Sequence, residues 1–310
     1  MAGGRNAREI LGRMENVGRP QGCGLKEDLA VVDEARTVTF VGAQGLVLAA
    51  DEWGSGAEGS VLLLHGGGQT RHSWKAAGAA LAAEGRHVVA LDLRGHGDSQ
   101  WSPDADYDIT FFRDDLLAVL TQVATPAILV GASLGGITAL LATADRPDLV
   151  ERLVLVDIAT RLEADGVERI HAFMHSAPNG FASLEEAADA VADYLPHRDR
   201  PRRPEGLRKN LRLRDGRWYW HWDPRLFSSE RRVAPEHAQA TLDAAARAVE
   251  APTLLLAGGQ SDVLSDEGVE HLRTVIPHVE VRVLGEAAHT AAADDNDAFT
   301  AAVADFIRTA

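Results

Sequence analysis

One cysteine, three methionines and three tyrosines stand in a chain of 310 residues, and aromatics of all kinds make up only 5% of it. The single thiol, Cys23, excludes a disulfide within the chain and gives no reason to expect an oxidising compartment. No stretch approaches the roughly 18 apolar residues of a membrane span, and the arginines near the start precede no apolar run of the kind a secretory leader has. The 12 histidines are scattered. There is no H-E-x-x-H and no Cys/His spacing of a metal site, so neither metal nor cofactor is expected. Basic residues are also in deficit, 31 against 46 acidic, for a formal charge of −15. That balance argues against nucleic acid and anionic membrane as partners and for solubility; with the lone cysteine and no leader or span in the sequence, a cytoplasmic protein is the default expectation.

A chain this long buries a large core and suits one α/β domain with an insertion, or two modest domains. Residues 1–35 read as an N-terminal extension, with one short helix from Arg8 to Val17 and a linker from Gly18 to Gly24. Thr37 to Val41 and Leu46 to Ala50 read as strands around a Gly-containing turn. Val61 to Leu64 is a buried strand running into His65-Gly66-Gly67-Gly68, and Trp74 to Glu84 is a helix stopped by Gly85. Strand and helix then alternate: strand 87–91, helix 108–123, strand 126–130, helix 134–144, strand 152–156. Such alternation builds a parallel sheet wound on both faces. It stops near Thr160. Helical stretches (Val167 to His175, Leu184 to Leu195), an Arg/Pro-rich connection and the run Trp218-Tyr219-Trp220-His221-Trp222 take its place. Strand 253–256, a helix to Val275, strand 279–284 and a closing helix restore it. The expected organisation is a core of residues 36–159 and 236–310 carrying a helical cap, or lid, at 160–235.

Gly131-Ala132-Ser133-Leu134-Gly135 sits between the apolar run 126–130 and the Ala/Leu-rich helix that follows. A G-x-S-x-G between strand and helix is the pattern of a nucleophile elbow. A serine on so sharp a turn is held in costly φ/ψ, small flanking residues let the backbone close in, and the hydroxyl stands at a helix N-terminus that favours negative charge. Such a serine needs a base, an acid and an oxyanion site. The base candidate is His289, just past the last strand, where active-site groups of open α/β sheets lie. The acid candidate is Asp262 in Gly258-Gly259-Gln260-Ser261-Asp262, with Asp157 at the end of the preceding strand as its rival; the order Ser…Asp…His fits both, and the Gly-Gly strand end favours Asp262. Backbone N–H groups of Leu134 and Gly67, with Gly68 close by, are the oxyanion candidates.

Taken together, His65-Gly66-Gly67-Gly68…Ser73-Trp74, Asp92-Leu93-Arg94-Gly95-His96-Gly97-Asp98-Ser99, Gly131 to Gly136, Ser261-Asp262 and Ala288-His289 resemble the α/β-hydrolase superfamily over roughly residues 36–310. The resemblance implies a mostly parallel, doubly wound eight-stranded sheet with a helical cap after the sixth strand, and it is strongest to serine esterases, lactonases and carbon–carbon bond hydrolases. Relatives with an aspartate nucleophile, the epoxide hydrolases and haloalkane dehalogenases, are set aside because position 133 is serine. The His65 to Gly68 run is also similar to hormone-sensitive-lipase-type esterases, but those carry an N-terminal cap and lack the Asp92 to Ser99 segment. By the same likeness Arg94, His96 and Asp98 form a structural turn. The implied reaction is acyl transfer from a small-molecule ester or lactone to water. C–C cleavage, cofactor-free perhydrolysis and a low-turnover binding protein are the alternatives. In an extended segment Trp218, Trp220 and Trp222 share one face, where they either wall the substrate pocket or fill the cap's own core. Nothing in the sequence reads on oligomeric state.

Overall fold

Apolar runs without alternation, such as Val61-Leu62-Leu63-Leu64, need cover on both faces, and the sheet provides it. The computed structural model describes residues 34–56, 59–195, 203–226, 235–259, 261–285 and 296–308. The helix and linker expected at 8–24 lie outside these residues, as does His289. Strands β1 (Arg36–Val41) and β2 (Val47–Trp53) form the antiparallel hairpin, and β2 pairs antiparallel with β4 (His87–Leu91). Inward from there every pairing is parallel: β4 with β3 (Ser60–Leu64), then β5 (Ala127–Ala132) and β6 (Val150–Val156). After β6 the chain leaves the sheet, makes a small hairpin of β7 (Leu211–Arg214) and β8 (Arg217–Trp220), and returns as β9 (Thr253–Gly258) and β10 (Glu280–Leu284). The eight-stranded order is β1-β2-β4-β3-β5-β6-β9-β10. This is the doubly wound α/β-hydrolase architecture expected from the sequence, with the insertion after the sixth strand.

Side chains of each central strand divide between two cores. Leu62, Leu64 and Leu129 face helices α2 (Ile109–Leu120), α3 (Leu134–Asp145), α6 (Pro235–Arg247) and α7 (Asp266–Val275). Val61, Leu63, Ile128 and Val130 face α1 (Lys75–Ala83) and the closing helix α8 (Asn296–Arg308), against Trp74, Leu81, Phe299 and Val303. Each such Leu or Val contributes about 1.5–3 kcal/mol by leaving water. This rigid double layer fixes the C-terminal ends of β3, β5, β6 and β9, on which the site is built.

The insertion holds helices α4 (Ala164–Met174) and α5 (Leu184–Tyr194), a 3₁₀ run over Pro204–Asn210 and the β7/β8 hairpin. Ser183 caps α5, its hydroxyl accepting from Glu186 N–H at 3.2 Å, while Glu186 reaches back to the N–H of Ala182, one residue before the cap; this is a capping box displaced by one residue. The hairpin is the departure from an all-helical cap. Its signal lies in Leu-Arg-Leu-Arg and Arg-Trp-Tyr-Trp around Asp215-Gly216, both at positive φ (48° and 79°), the turn chemistry of a two-residue hairpin loop. No helix among the described residues is long and apolar enough to cross a membrane.

Candidate active site

Ser133 joins β5 to α3 with φ 47° and ψ −114°, a backbone state that a non-glycine residue occupies at a cost of about 1–3 kcal/mol. Packing enforces it. A Cβ at Gly131 would lie 2.3 Å from the Gly135 carbonyl oxygen, and one at Gly135 would lie 2.3 Å from that of Leu64. Only glycines let β3, β5 and α3 meet this closely. The turn is tied to the neighbouring strand by Ser133 N–H donating to Val156 O at 3.3 Å and to its own helix by Ile137 N–H donating to Ser133 O at 2.9 Å. The side chain is half-buried, at the N-terminus of α3.

The loop after β3 lies against it, with the position of a Cβ on Gly66 only 3.3 Å from Ser133 Cβ. Of the N–H groups in this loop, that of Gly68 is spent: it donates to His96 Nε2 at 3.2 Å. Those of Gly67 and Leu134 have no acceptor among the described residues. The sequence reading placed Gly68 beside the oxyanion donors; its N–H is instead used to hold the loop.

Three histidines do that holding. His65 Nδ1–H donates to Gly66 O at 2.7 Å and its Nε2 accepts from Leu93 N–H at 3.0 Å. His96 Nδ1–H donates to Arg94 O at 2.9 Å, which leaves Nε2 to accept from Gly68. His221, arriving from the insertion, accepts from Gly97 N–H at 2.7 Å and donates to Gly68 O at 3.3 Å. Each bonding pattern requires the neutral ring. Burial pushes His65 down to about 4 and, with the neighbouring His65 adding, His96 down to about 3; His221 is lowered as well, chiefly by burial. The unfolded chain therefore takes up these protons near pH 6.5 while the folded chain resists them until about pH 4 and 3. Stability is full above pH 6.5 and is lost as pH falls toward 4, at about 1.4 kcal/mol per pH unit for each such histidine. Urea midpoints measured across this range are expected to fall steadily with acidification; a flat profile would mean the rings are charged in the fold.

The two candidate acids occupy different surroundings. Asp157 follows β6 directly, one residue beyond the pair Ala132 and Val156 that ends the β5/β6 register, so it stands beside Ser133. It is fully buried and also at positive φ, 49°. Its carboxylate accepts from Gly258 N–H at 2.8 Å and from Ser261 Oγ–H at 2.6 Å. Asp262, four residues beyond β9, has a side chain 43% exposed and forms an ion pair with Arg169 of α4. The helix touches this loop closely, since a Cβ at Gly166 would lie 2.2 Å from Asp262 O. Asp262 thus joins the core to the insertion, while Asp157 is locked at the strand ends.

Above Ser133 lies a cavity of about 540 Å³ whose walls are mostly apolar. Ile158 and Leu134 come from the core, and Val167, Ile170 and Met174 from α4. Of the three tryptophans, Trp220 and Trp222 line it and Trp218 does not. Trp218 instead lies under Arg208, whose Cζ is 5.0 Å from the ring centroid. Trp220 and Trp222 are stacked at 4.9 Å and 12°, Trp222 Nε1–H donates to Met174 O at 3.2 Å, and Phe173 packs on both rings. Wall and cap core are the same residues. Trp220→Ala is therefore expected both to lower stability by about 3 kcal/mol or more and to shift preference toward bulkier acyl chains, measured by thermal melts and a p-nitrophenyl ester series.

Sequence reasoning missed the clamp of His221 on Gly68 and the wall from α4. The first had no signal, because His221 sits inside an aromatic alternation and its partners are 124 and 153 residues away. The second had one: Val167, Ile170 and Met174 fall at the i, i+3, i+7 spacing of one helix face.

A strained serine between parallel strand and helix, facing two unbonded backbone N–H groups under a capped cavity, belongs to one architecture. Residues 59–295 match the family described as the alpha/beta hydrolase fold, and the chain belongs to that family. It is similar to Esterase Rv0045c of Mycobacterium tuberculosis, 31% identical over 260 residues that cover 81% of this chain and 83% of the relative. A crystal structure of that esterase superposes with a TM-score of 0.71 at 30% identity, covering 89% and 92% of the two chains. The sn-1-specific diacylglycerol lipase ABHD11 of Mus musculus is 30% identical over 259 residues, 80% of each chain. E-2-(Acetamidomethylene)succinate hydrolase superposes with a TM-score of 0.77 over 88% of this chain and 99% of that one, at 22% identity, a likeness of fold alone.

Proposed function

We propose that the protein hydrolyses carboxylic esters of small molecules through an acyl-enzyme on Ser133. The carrying observation is the serine's strained turn at the floor of the cavity, beside the unbonded N–H groups of Gly67 and Leu134; the ester-cleaving relatives support it. His289 takes the proton of Ser133 Oγ as that oxygen attacks the carbonyl carbon. The oxyanion rests on the two N–H groups. The bond to the alcohol oxygen then breaks, and His289 returns the proton to the leaving alkoxide. Water, deprotonated by the same imidazole, attacks the acyl-enzyme and releases the carboxylic acid and free Ser133. The acid that orients His289 is Asp157 in this reading, in preference to the Asp262 favoured by sequence spacing. A buried carboxylate fixed by Gly258 N–H and Ser261 Oγ–H is better held for that task than an exposed one engaged with Arg169. The cavity, Gly68 and the Trp220/Trp222 stack form the acyl and alcohol pocket, and residues 36–159 and 236–310 the catalytic core beneath the cap.

The test is a p-nitrophenyl ester chain-length series run beside a lactone series, with fluorophosphonate labelling located by peptide mapping. Turnover of esters with label on Ser133 is expected. Labelling without turnover of any ester or lactone would replace the enzyme by a binding protein of the same fold.

A further inference from the structure

The basic residues of this acidic chain are unevenly spent. Only three of its 31 basic residues are lysines. Segment 198–217 holds nine basic residues against three acidic ones, although the chain as a whole carries −15. In the rest of the described residues arginines are largely neutralised: Arg36 with Glu52, Arg71 with Asp51 and Asp98, Arg94 with Asp115, Arg146 with Asp148, Arg282 with Glu280 and Asp305. In the described part of the segment, 203–217, only Arg212 reaches a carboxylate, that of Asp98 at 2.6 Å. Arg208 and Arg214 lie over the rings of Trp218 and Trp101, at 5.0 and 4.8 Å. Arg217 is bonded to the carbonyls of Asn179 and Gly180. Arg203 and Lys209 are exposed and have no carboxylate partner among the described residues, and neither Glu205 nor Asp215 forms an ion pair there. With acids in surplus, cations left unpaired in one place are a local positive field on a negative molecule.

Through Lys209 that field reaches the cavity. Lys209 and Asn210 line it, together with Leu207 from the same 3₁₀ run, and Ser133 lines the same cavity. A mostly apolar cavity lined by both a reacting serine and an exposed lysine suits a ligand that carries an acyl group and, apart from it, a negative charge. Resting on the ester-hydrolase reading above, we infer that the natural substrate is an anionic ester or thioester: it bears a carboxylate or phosphate, remote from the scissile bond, that is drawn to Lys209, the one cation among the described residues that line the cavity. On a chain of formal charge −15, a local excess of cations also steers such a molecule toward this segment.

The test compares kcat/KM within matched pairs. For the carboxylate arm the pair is mono-p-nitrophenyl adipate and p-nitrophenyl hexanoate; for the phosphate arm it is butyryl-coenzyme A and S-butyryl-N-acetylcysteamine. At least one pair is expected to show a preference of about three- to tenfold for the anionic member at about 0.02 M ionic strength, shrinking toward unity at about 0.5 M. The arm that shows it identifies the anion. Lys209→Glu should reverse that ratio, Lys209→Gln should abolish it, and Lys209→Arg should restore it. A ratio within one preparation does not depend on the fraction folded. Turnover of the neutral members with no anionic preference, or a preference that survives Lys209→Glu, overturns this inference alone. Failure to turn over any of the four overturns the ester-hydrolase reading and this inference with it.

Discussion

Ser133→Ala is expected to reduce ester hydrolysis by about 10⁴- to 10⁶-fold while leaving the fold intact. The substitution removes the only atom proposed to bond the acyl group and leaves the strained backbone as it was, since alanine pays the same penalty at φ 47°. The residual rate would come from the cavity and the N–H groups of Gly67 and Leu134, which position and polarise an ester without attacking it. Ser133→Gly separates strain from chemistry. Glycine adopts the turn freely, so this variant should be equally inactive but more stable than Ser133→Ala by about 1 kcal/mol, the relief of strain exceeding the added entropy of the unfolded chain. Steady-state rates on a p-nitrophenyl ester and urea midpoints on the three proteins decide both points. An active, folded Ser133→Ala protein would remove the basis of the proposed mechanism.

The sheet was legible because its strands are short apolar runs bounded by turn residues, and that signal is local. Strand 87–91 agrees with β4 residue for residue, and the elbow strand, read as 126–130, runs one residue later at its start and two at its end in β5. The elbow was legible for a second local reason: Gly131 and Gly135 are dictated by contacts within a few residues and with one neighbouring strand. The cap was legible as a break in alternation but not in form. Whether Trp218 faces the cavity depends on where Arg208 comes to rest, and which N–H of the glycine loop is free depends on His96, 28 residues onward. The histidine clamp and the place of Lys209 in the cavity wall arise from long-range placement. In sequence they look like a turn motif and an Arg/Pro-rich connection.

Choosing between two aspartates is the sharpest case of this kind. Spacing after a Gly-Gly strand end favours Asp262, but spacing says nothing about what else the carboxylate meets. Asp262 meets Arg169 and solvent. Asp157 is buried, with Gly258 N–H on one oxygen and Ser261 Oγ–H on the other. Asp157→Asn should retain the fold at some cost in stability: the amide oxygen still accepts from Gly258, but the bond from the Ser261 hydroxyl is lost, because Ser261 Oγ already accepts from the N–H groups of Val263 and Leu264 and cannot also accept from the amide. Its effect should fall on the imidazole: an amide N–H presented to the ring stabilises the wrong tautomer and cannot balance the imidazolium, a loss on the order of 10⁴ in kcat. Asp262→Asn should cost no more than about tenfold, since it removes one exposed ion pair. The two variants are compared by kcat on a single p-nitrophenyl ester, with urea midpoints as a control for folding. If Asp262→Asn is the crippling change and Asp157→Asn is mild, the acid is the residue that sequence spacing chose, and Asp157 serves only to bind the end of β6 to that of β9.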